Sequence, residues 1–443
     1  MKHNEFGPVA ETYRELQGLA HIEAAYRNLN GVDPLNRAYY ITLQSIELIY
    51  FNAADLLHRL NTLFGSEKSS ITVRHLLWLE ELFDIGIEFA RFASLFHNSF
   101  FSNGDIIKWN SPAFQQFVKE YRDAEVRIIA YCEQKRNQYL TAISAGMSND
   151  PQSVSVHSLK NIFHAHSILS KWLSNVADQA DDAPISDVLC SEEMRKAVFD
   201  IHLNLDCFIT QFRLLHQIPE LCGLLCVELL KDNTKNVSYL RANRLDRTYV
   251  DKMVDSLFVV NSLMYLIILC NRPLRKLMLP SEYYRIRANL GQTSGSHSRT
   301  LRGDLLSKSY IEFCAALSSL PRWSAPKNDF RLLKREALTL QSLIYEWRAL
   351  HLAFPRNLLG GFGTKSLIGS PDGLVEAKKM SDSFAKEDPL AKRSATDEQE
   401  RLIIGSGLDQ KLLDLTSQVA KGRFANVQNR TGVFAPRKAR QGP

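Results

Sequence analysis

An all-α protein is what this sequence predicts, on three observations. Apolar residues recur at spacings of three and four along most of its 443 residues, the period of a helix with one buried face. Strict alternation over five or more residues, the mark of a half-buried strand, is rare. The composition, 45% hydrophobic and 23% charged, is that of a globular chain able to bury a large core.

The elements follow in order. YITLQSIELIYFNAADLLHRLNTLF, from Tyr40, reads as one amphipathic helix. VRHLLWLEELFDIGIEFARFASLF, from Val73, is a second; FQQFVKEYRDAEVRIIAYCEQKRNQYL, from Phe114, is a third; SLKNIFHAHSILSKWLSNVADQ, from Ser158, is a fourth. Breakers cluster at SAGMSNDPQS and again at DQADDAPISD. The second cluster, about Asp181–Asp187, is acidic and poor in apolar residues, and it sets the expected boundary of an N-terminal helical region, 1–190. A second helical domain, 191–375, is expected to hold helices at about Glu192–Lys231, Val250–Leu277, SKSYIEFCAALSSL and Arg331–Leu359. From 376 to 443 the chain turns polar and reads as a flexible tail with one helix at GLDQKLLDLTSQVAKGRF. Gln44, Glu47 and Leu48 recur at equal offsets as Gln217, Glu220 and Leu221, a pattern compatible with an internal duplication.

Charge and cysteines narrow the function classes. The net charge is +6, but Lys and Arg are spread along the chain, so no nucleic-acid partner is expected. Seven cysteines, with no CxxC pair, read as reduced thiols in a cytoplasmic protein. The chain shows no apolar leader, and the run SLFVVNSLMYLIILC reads as too short and too polar to span a bilayer; no membrane association is expected. A homo-oligomer is left open.

Three stretches carry candidate chemistry. In LDCFITQFRLLHQIPELCGLL, Phe208, Phe212, His216, Glu220 and Gly223 share one helix face, with His216 amid apolar neighbours. The plain alternative is a core histidine bonded to a backbone carbonyl. Pro219, however, sits in what should be helix interior, where it removes a ladder bond and is expected to kink the helix. In LIYEWRALHLAFPRNLLGGFGTKSLIGS, His351 is the one polar member of the stripe Leu343, Trp347, Leu350, Phe354 and Leu358. Pro355 deprives its carbonyl of the usual helix partner, and Gly360-Gly361 ends the helix. The third stretch, RIRANLGQTSGSHSRTLR, is a Gly-Ser loop between arginines, longer than a turn requires. Two lone histidines on apolar helix faces suit a haem pocket, one as a neutral nitrogen ligand to iron and the other guarding the open face. No HExxH, paired ExxH or Cys-His cluster offers another metal site.

FRLLHQIPELC, YYRIRANLGQTSGSHS and WRALHLAFPRNLLGGFGTKSLIGS stand in the order and approximate spacing of three motifs of the tryptophan 2,3-dioxygenase family, which this chain resembles over about Asp206–Gly373. The resemblance implies a helical bundle around haem b. His351 matches the proximal iron ligand, with Trp347 and Arg348 preceding it beside the cofactor. His216 matches the distal histidine with a catalytic role, and Phe212 the aromatic on the substrate ring. Arg287 matches the arginine that binds the substrate carboxylate. Thr364, with Ser294 and Gly295 of the Gly-Ser loop, matches residues that close on the amino-acid end.

The chain also departs from the family. Ser296 and His297 stand where the family has an aromatic and a glutamine, Cys222 replaces a tryptophan, Lys365 replaces a glycine, and the N-terminal half is far longer. The expectation is a haem-dependent oxygenase that uses dioxygen or peroxide on a tryptophan-like or tyrosine-like amino acid. The alternatives are a haem-binding sensor with His216 or His297 as sixth ligand, and a helical interaction scaffold without haem.

Overall fold

The computed structural model describes residues 13–16, 18–32, 34–63, 69–100, 112–144, 207–242, 247–288, 305–320, 330–359 and 373–390. Of the described residues 93% are helical and none forms a strand, so the all-α class is the observed one. The helices are α1 Tyr13–Leu16, α2 Leu19–Arg27, α3 Pro34–Leu63, α4 Ser69–Phe100, α5 Pro112–Ser144, α6 Cys207–Ala242, α7 Arg247–Leu277, α8 Pro280–Ala288, α9 Leu305–Ser318, α10 Arg331–Leu359 and α11 Gly373–Glu387.

Proline sets several of the starts. Pro34, Pro112 and Pro280 each open a helix, where the missing N–H is one the first turn leaves unused. Gly18 precedes α2 at φ 63°, a left-handed conformation open to glycine. Glu47 of α3 accepts the backbone N–H of Ala113 at 3.2 Å, so one buried carboxylate serves the first turn of α5.

Two long helices organise the bundle. α4 and α5 pack on α3, and α7 and α9 pack on α6; α3 and α6 pack on each other. Arg37 meets Glu228 at one end of that contact and Ser45 meets Cys222 further along, so the two run antiparallel. α7 lies between α6, α10 and α4. One apolar core runs from Leu16 to Leu390, taking Trp78, Phe83 and Phe117 from the first half and Phe212, Leu225 and Phe313 from the second. Helices from both sides of the expected boundary thus share a core; Asp181–Asp187, the fourth expected helix from Ser158 and residues 192–206 lie outside the described residues.

Two expectations are revised. The run from Ser256 belongs to α7, which is long and apolar enough by itself to cross a membrane, and 72% of that stretch is buried inside the bundle. The polar tail does not begin at 376. α11 packs Phe384 against Tyr310 and Tyr345, with ring centroids 5.6 and 5.2 Å apart. Beyond it, Asp388 is fully buried and accepts from Gln341 Nε2 at 2.6 Å, Tyr345 Oη at 3.2 Å and the Leu390 N–H at 3.0 Å. Exposed Lys378, Lys379, Asp382 and Lys386 make α11 look like tail, because among its described side chains only Phe384 is buried. The helix expected at GLDQKLLDLTSQVAKGRF lies outside the described residues.

Candidate functional site

α6 is enclosed by α2, α3, α7 and α9, and most of its side chains are buried. His216 is an exception, half-buried amid neighbours that are closed off. Its Nδ1 lies 2.6 Å from the carbonyl oxygen of Phe212, one turn earlier. A carbonyl only accepts, so Nδ1 carries the hydrogen, and in the neutral ring Nε2 is the acceptor. The Phe212 ring, 1% exposed, lies 4.1 Å from the imidazole, centroid to centroid, which fixes the ring plane. α6 is one unbroken helix through Pro219, so the expected kink does not end it. The carbonyl of Leu215 loses its ladder donor there.

α8 reaches this place from the other side of the sequence. Tyr283 sets its ring edge-on to Phe212 at 6.5 Å. α8 touches both α6 and α10, while among the described residues α6 and α10 make little direct contact and both lie on α7. The structure therefore brings together Phe212, His216 and the helix that carries Arg287 at its penultimate position. The Arg287 side chain lies outside the described residues, as do Ser294, Gly295, His297 and Thr364. His351 is on the last turns of α10, and its side chain is also outside the described residues.

Trp347 and Arg348, one turn before His351, are both 7% exposed. Arg348 donates from Nη2 to Ser307 Oγ at 2.6 Å and lies 4.6 Å above the Phe384 ring. These contacts tie α10 to α9 and α11. Among the described residues no group of three or more His, Cys, Asp or Glu side chains gathers as for a bare metal ion; a haem iron takes one or two protein ligands. Burial pushes the Cys222 thiol up to about 12 and raises those of Cys226 and Cys270 as well. At neutral pH these are protonated thiols packed in the core.

Sequence reasoning missed Tyr283, the buried carboxylate Glu282 and its partner Arg74 on α4. Leu279-Pro280-Ser281-Glu282 did hold a signal, since Pro at the first position and Glu at the third is a helix-start pattern. Arg74 carried none. No family model matches the chain, and neither a curated protein nor a solved structure does.

Proposed function

We propose that this chain is a haem-dependent oxygenase acting on an aromatic amino acid or a derivative of one. The observation that carries the reading is the meeting of Phe212, His216 and α8: one partly buried imidazole with Nε2 as acceptor, the buried Phe212 ring against it, and the Arg287-bearing helix packed beside them through Tyr283. On the described side these residues fit a haem pocket, in which an apolar wall would face the macrocycle and a lone imidazole would face the open side of the iron. The three motifs resembling the tryptophan 2,3-dioxygenase family add the expected roles.

In this reading His351 holds the iron, and bound haem supplies the activation of dioxygen or peroxide. The chain's own residues hold and orient the substrate. His216 Nε2 accepts a hydrogen bond from the substrate's indole N–H or phenol O–H and is placed to take that proton as a base. Phe212 packs on the aromatic ring. Arg287 offers a planar fork to the carboxylate, and Thr364 with the Gly-Ser loop closes on the ammonium end.

Reconstitution with haem tests the proposal. The parent develops a Soret band, His351→Ala loses stable haem, and His216→Ala retains haem but loses turnover of tryptophan or tyrosine. Full haem occupancy in His351→Ala overturns the iron assignment. No Soret band in the parent leaves a scaffold, and a six-coordinate bis-histidine spectrum indifferent to substrate leaves a sensor.

A further inference from the structure

The turn from α7 into α8 is held from outside by one side chain of the N-terminal half. Arg74 of α4 spreads its guanidinium over both oxygens of Glu282, with Nη2 at 2.9 Å from Oε2, and Nη2 also donates to the carbonyl of Leu277 at 2.7 Å. Glu282 in turn accepts the backbone N–H of Leu279 at 2.8 Å, closing the first turn of α8. The Glu282 side chain is 5% exposed, and the Arg74 side chain 24%. One arginine thus joins the last carbonyl of α7 to the first turn of α8, through a fork that fixes direction as well as distance.

α8 needs such a hold. It has nine residues, too few for a stable free helix in water. It packs only lightly on α6 and α10. Tyr283, beside the clamped carboxylate, is the residue that meets Phe212, and Arg287 follows Glu282 by five positions on the same short rod.

We propose that Arg74 is a positioning residue for the amino-acid end of the substrate. By fixing Glu282 it sets the height and rotation of α8, and with them the backbone from which Arg287 extends. This rests on the reading that Arg287 binds a carboxylate. It gives the long N-terminal region a part in the site: α4, built on α3, carries the anchor for the substrate helix.

The test compares tryptophan and tyrosine with tryptamine and tyramine, each titrated into haem-loaded protein by the shift of the haem spectrum. A displacement of about 1 Å in a positioning element costs up to about a hundredfold. Arg74→Gln is therefore expected to weaken the amino acids by about ten- to a hundredfold and the amines much less, with haem content unchanged. Arg74→Lys, which keeps the charge and loses the fork, falls between parent and Arg74→Gln. The exchange Arg74→Glu with Glu282→Arg recovers part of the loss. Should Arg74→Gln fail to fold, Arg74→Lys alone decides by the same ratio of amino acid to amine. A parent that binds acid and amine alike overturns the carboxylate reading and the positioning role with it. A parent that discriminates, with Arg74 variants that lose both ligands equally or neither, overturns the positioning role alone.

Discussion

α3 and α6 are the two helices around which the halves of the molecule pack, and they treat their polar residues differently. Along α3 most of the buried polar groups serve structure. Thr42, Ser45 and Asn52 donate back to carbonyls four residues earlier at 2.6, 2.8 and 2.8 Å, Glu47 serves the start of α5, and Arg37 reaches across to Glu228. α6 is as deeply packed, yet it leaves His216 only partly buried, with Nδ1 held by the Phe212 carbonyl. The difference separates a helix that is all scaffold from one that is scaffold with an opening. A buried polar residue is ordinary when its bonds close within the fold; a partly buried imidazole whose tautomer and ring plane are fixed suits a ligand.

Alkali is expected to give the largest effect, and to begin on the α6 side. Burial pushes the Cys222 thiol of α6 from 9.0 up to about 12, and the Tyr39 phenol of α3 from 10.0 up to about 12. Between the unfolded and folded values the native state holds more protons than the unfolded one, so stability falls as pH rises. It is full below pH 9, declines from 9 as Cys222 would ionise, and declines further from 10 with Tyr39. A tenfold change in proton affinity is worth about 1.4 kcal/mol, so the Cys222 contribution alone is on the order of a few kcal/mol. Arg213 opposes this with an effect of similar size: desolvation lowers it from 12.5 to about 10, so its burden is relieved between about pH 10 and 12.5 and offsets the decline due to Tyr39 there. Denaturant melts at pH 8, 9.5 and 11 measure the slope; Cys226 and Cys270 share the segment that starts at pH 9, so Cys222→Ala should make it shallower without abolishing it. An unchanged slope there removes the thiol from the account.

The cross-link between the two helices comes next in size. Glu228 of α6 takes Arg37 Nη1 on both oxygens, at 2.7 and 2.6 Å, and the hydroxyl of Tyr26 as well. The Arg37 side chain is 8% exposed, so Glu228→Ala leaves a nearly buried cation without its counter-charge. Losses of this kind run to about 3–5 kcal/mol, and the 35% exposure of Glu228 brings the expectation to about 2–3 kcal/mol. Urea midpoints report it. A change below about 0.5 kcal/mol would mean that the pair behaves like a surface bridge, and that α3 and α6 are joined by apolar packing alone.

Much of this architecture was legible in the sequence because helices write their burial with a period. α7 and α10 lie within a few residues of where periodicity puts them, Arg247–Leu277 and Arg331–Leu359. α6 was harder to bound: it extends to Ala242, beyond the expected Lys231, since Val237 and Leu240 continue the buried stripe through polar neighbours. α11 was hidden for the opposite reason, a short helix with one narrow apolar side among lysines and acids. At the candidate site, His216 and Phe212 could be read together because i and i+4 share a helix face. Tyr283 against Phe212, or Arg74 on Glu282, could not. Those contacts join residues 71 and 208 positions apart, and no local pattern records which helices will be neighbours.

The smallest expected effect sharpens the comparison most, because it asks whether each helix hides an unmet need. Gln44 of α3 is 1% exposed and Gln211 of α6 is fully buried, and among the described residues neither amide atom of either side chain has a hydrogen-bond partner. A buried amide with no partner costs about 1–3 kcal/mol, so a nearly isosteric apolar side chain at such a place should be neutral or stabilising. Gln44→Met and Gln211→Met are each expected to raise the unfolding free energy by about 1 kcal/mol in protein without added ligand. The two sites then part company. Gln44 belongs to the helix whose polar groups serve structure, and Gln44→Met should leave haem uptake and substrate binding as they are. Gln211 lies next to Phe212, on the helix that opens at His216. If its amide is kept for something bound there, Gln211→Met raises stability and weakens binding together. Equal behaviour of the two variants in both measurements would erase the distinction between scaffold helix and site helix. Destabilisation by either one would show that its amide is satisfied in solution after all, most simply by a buried water.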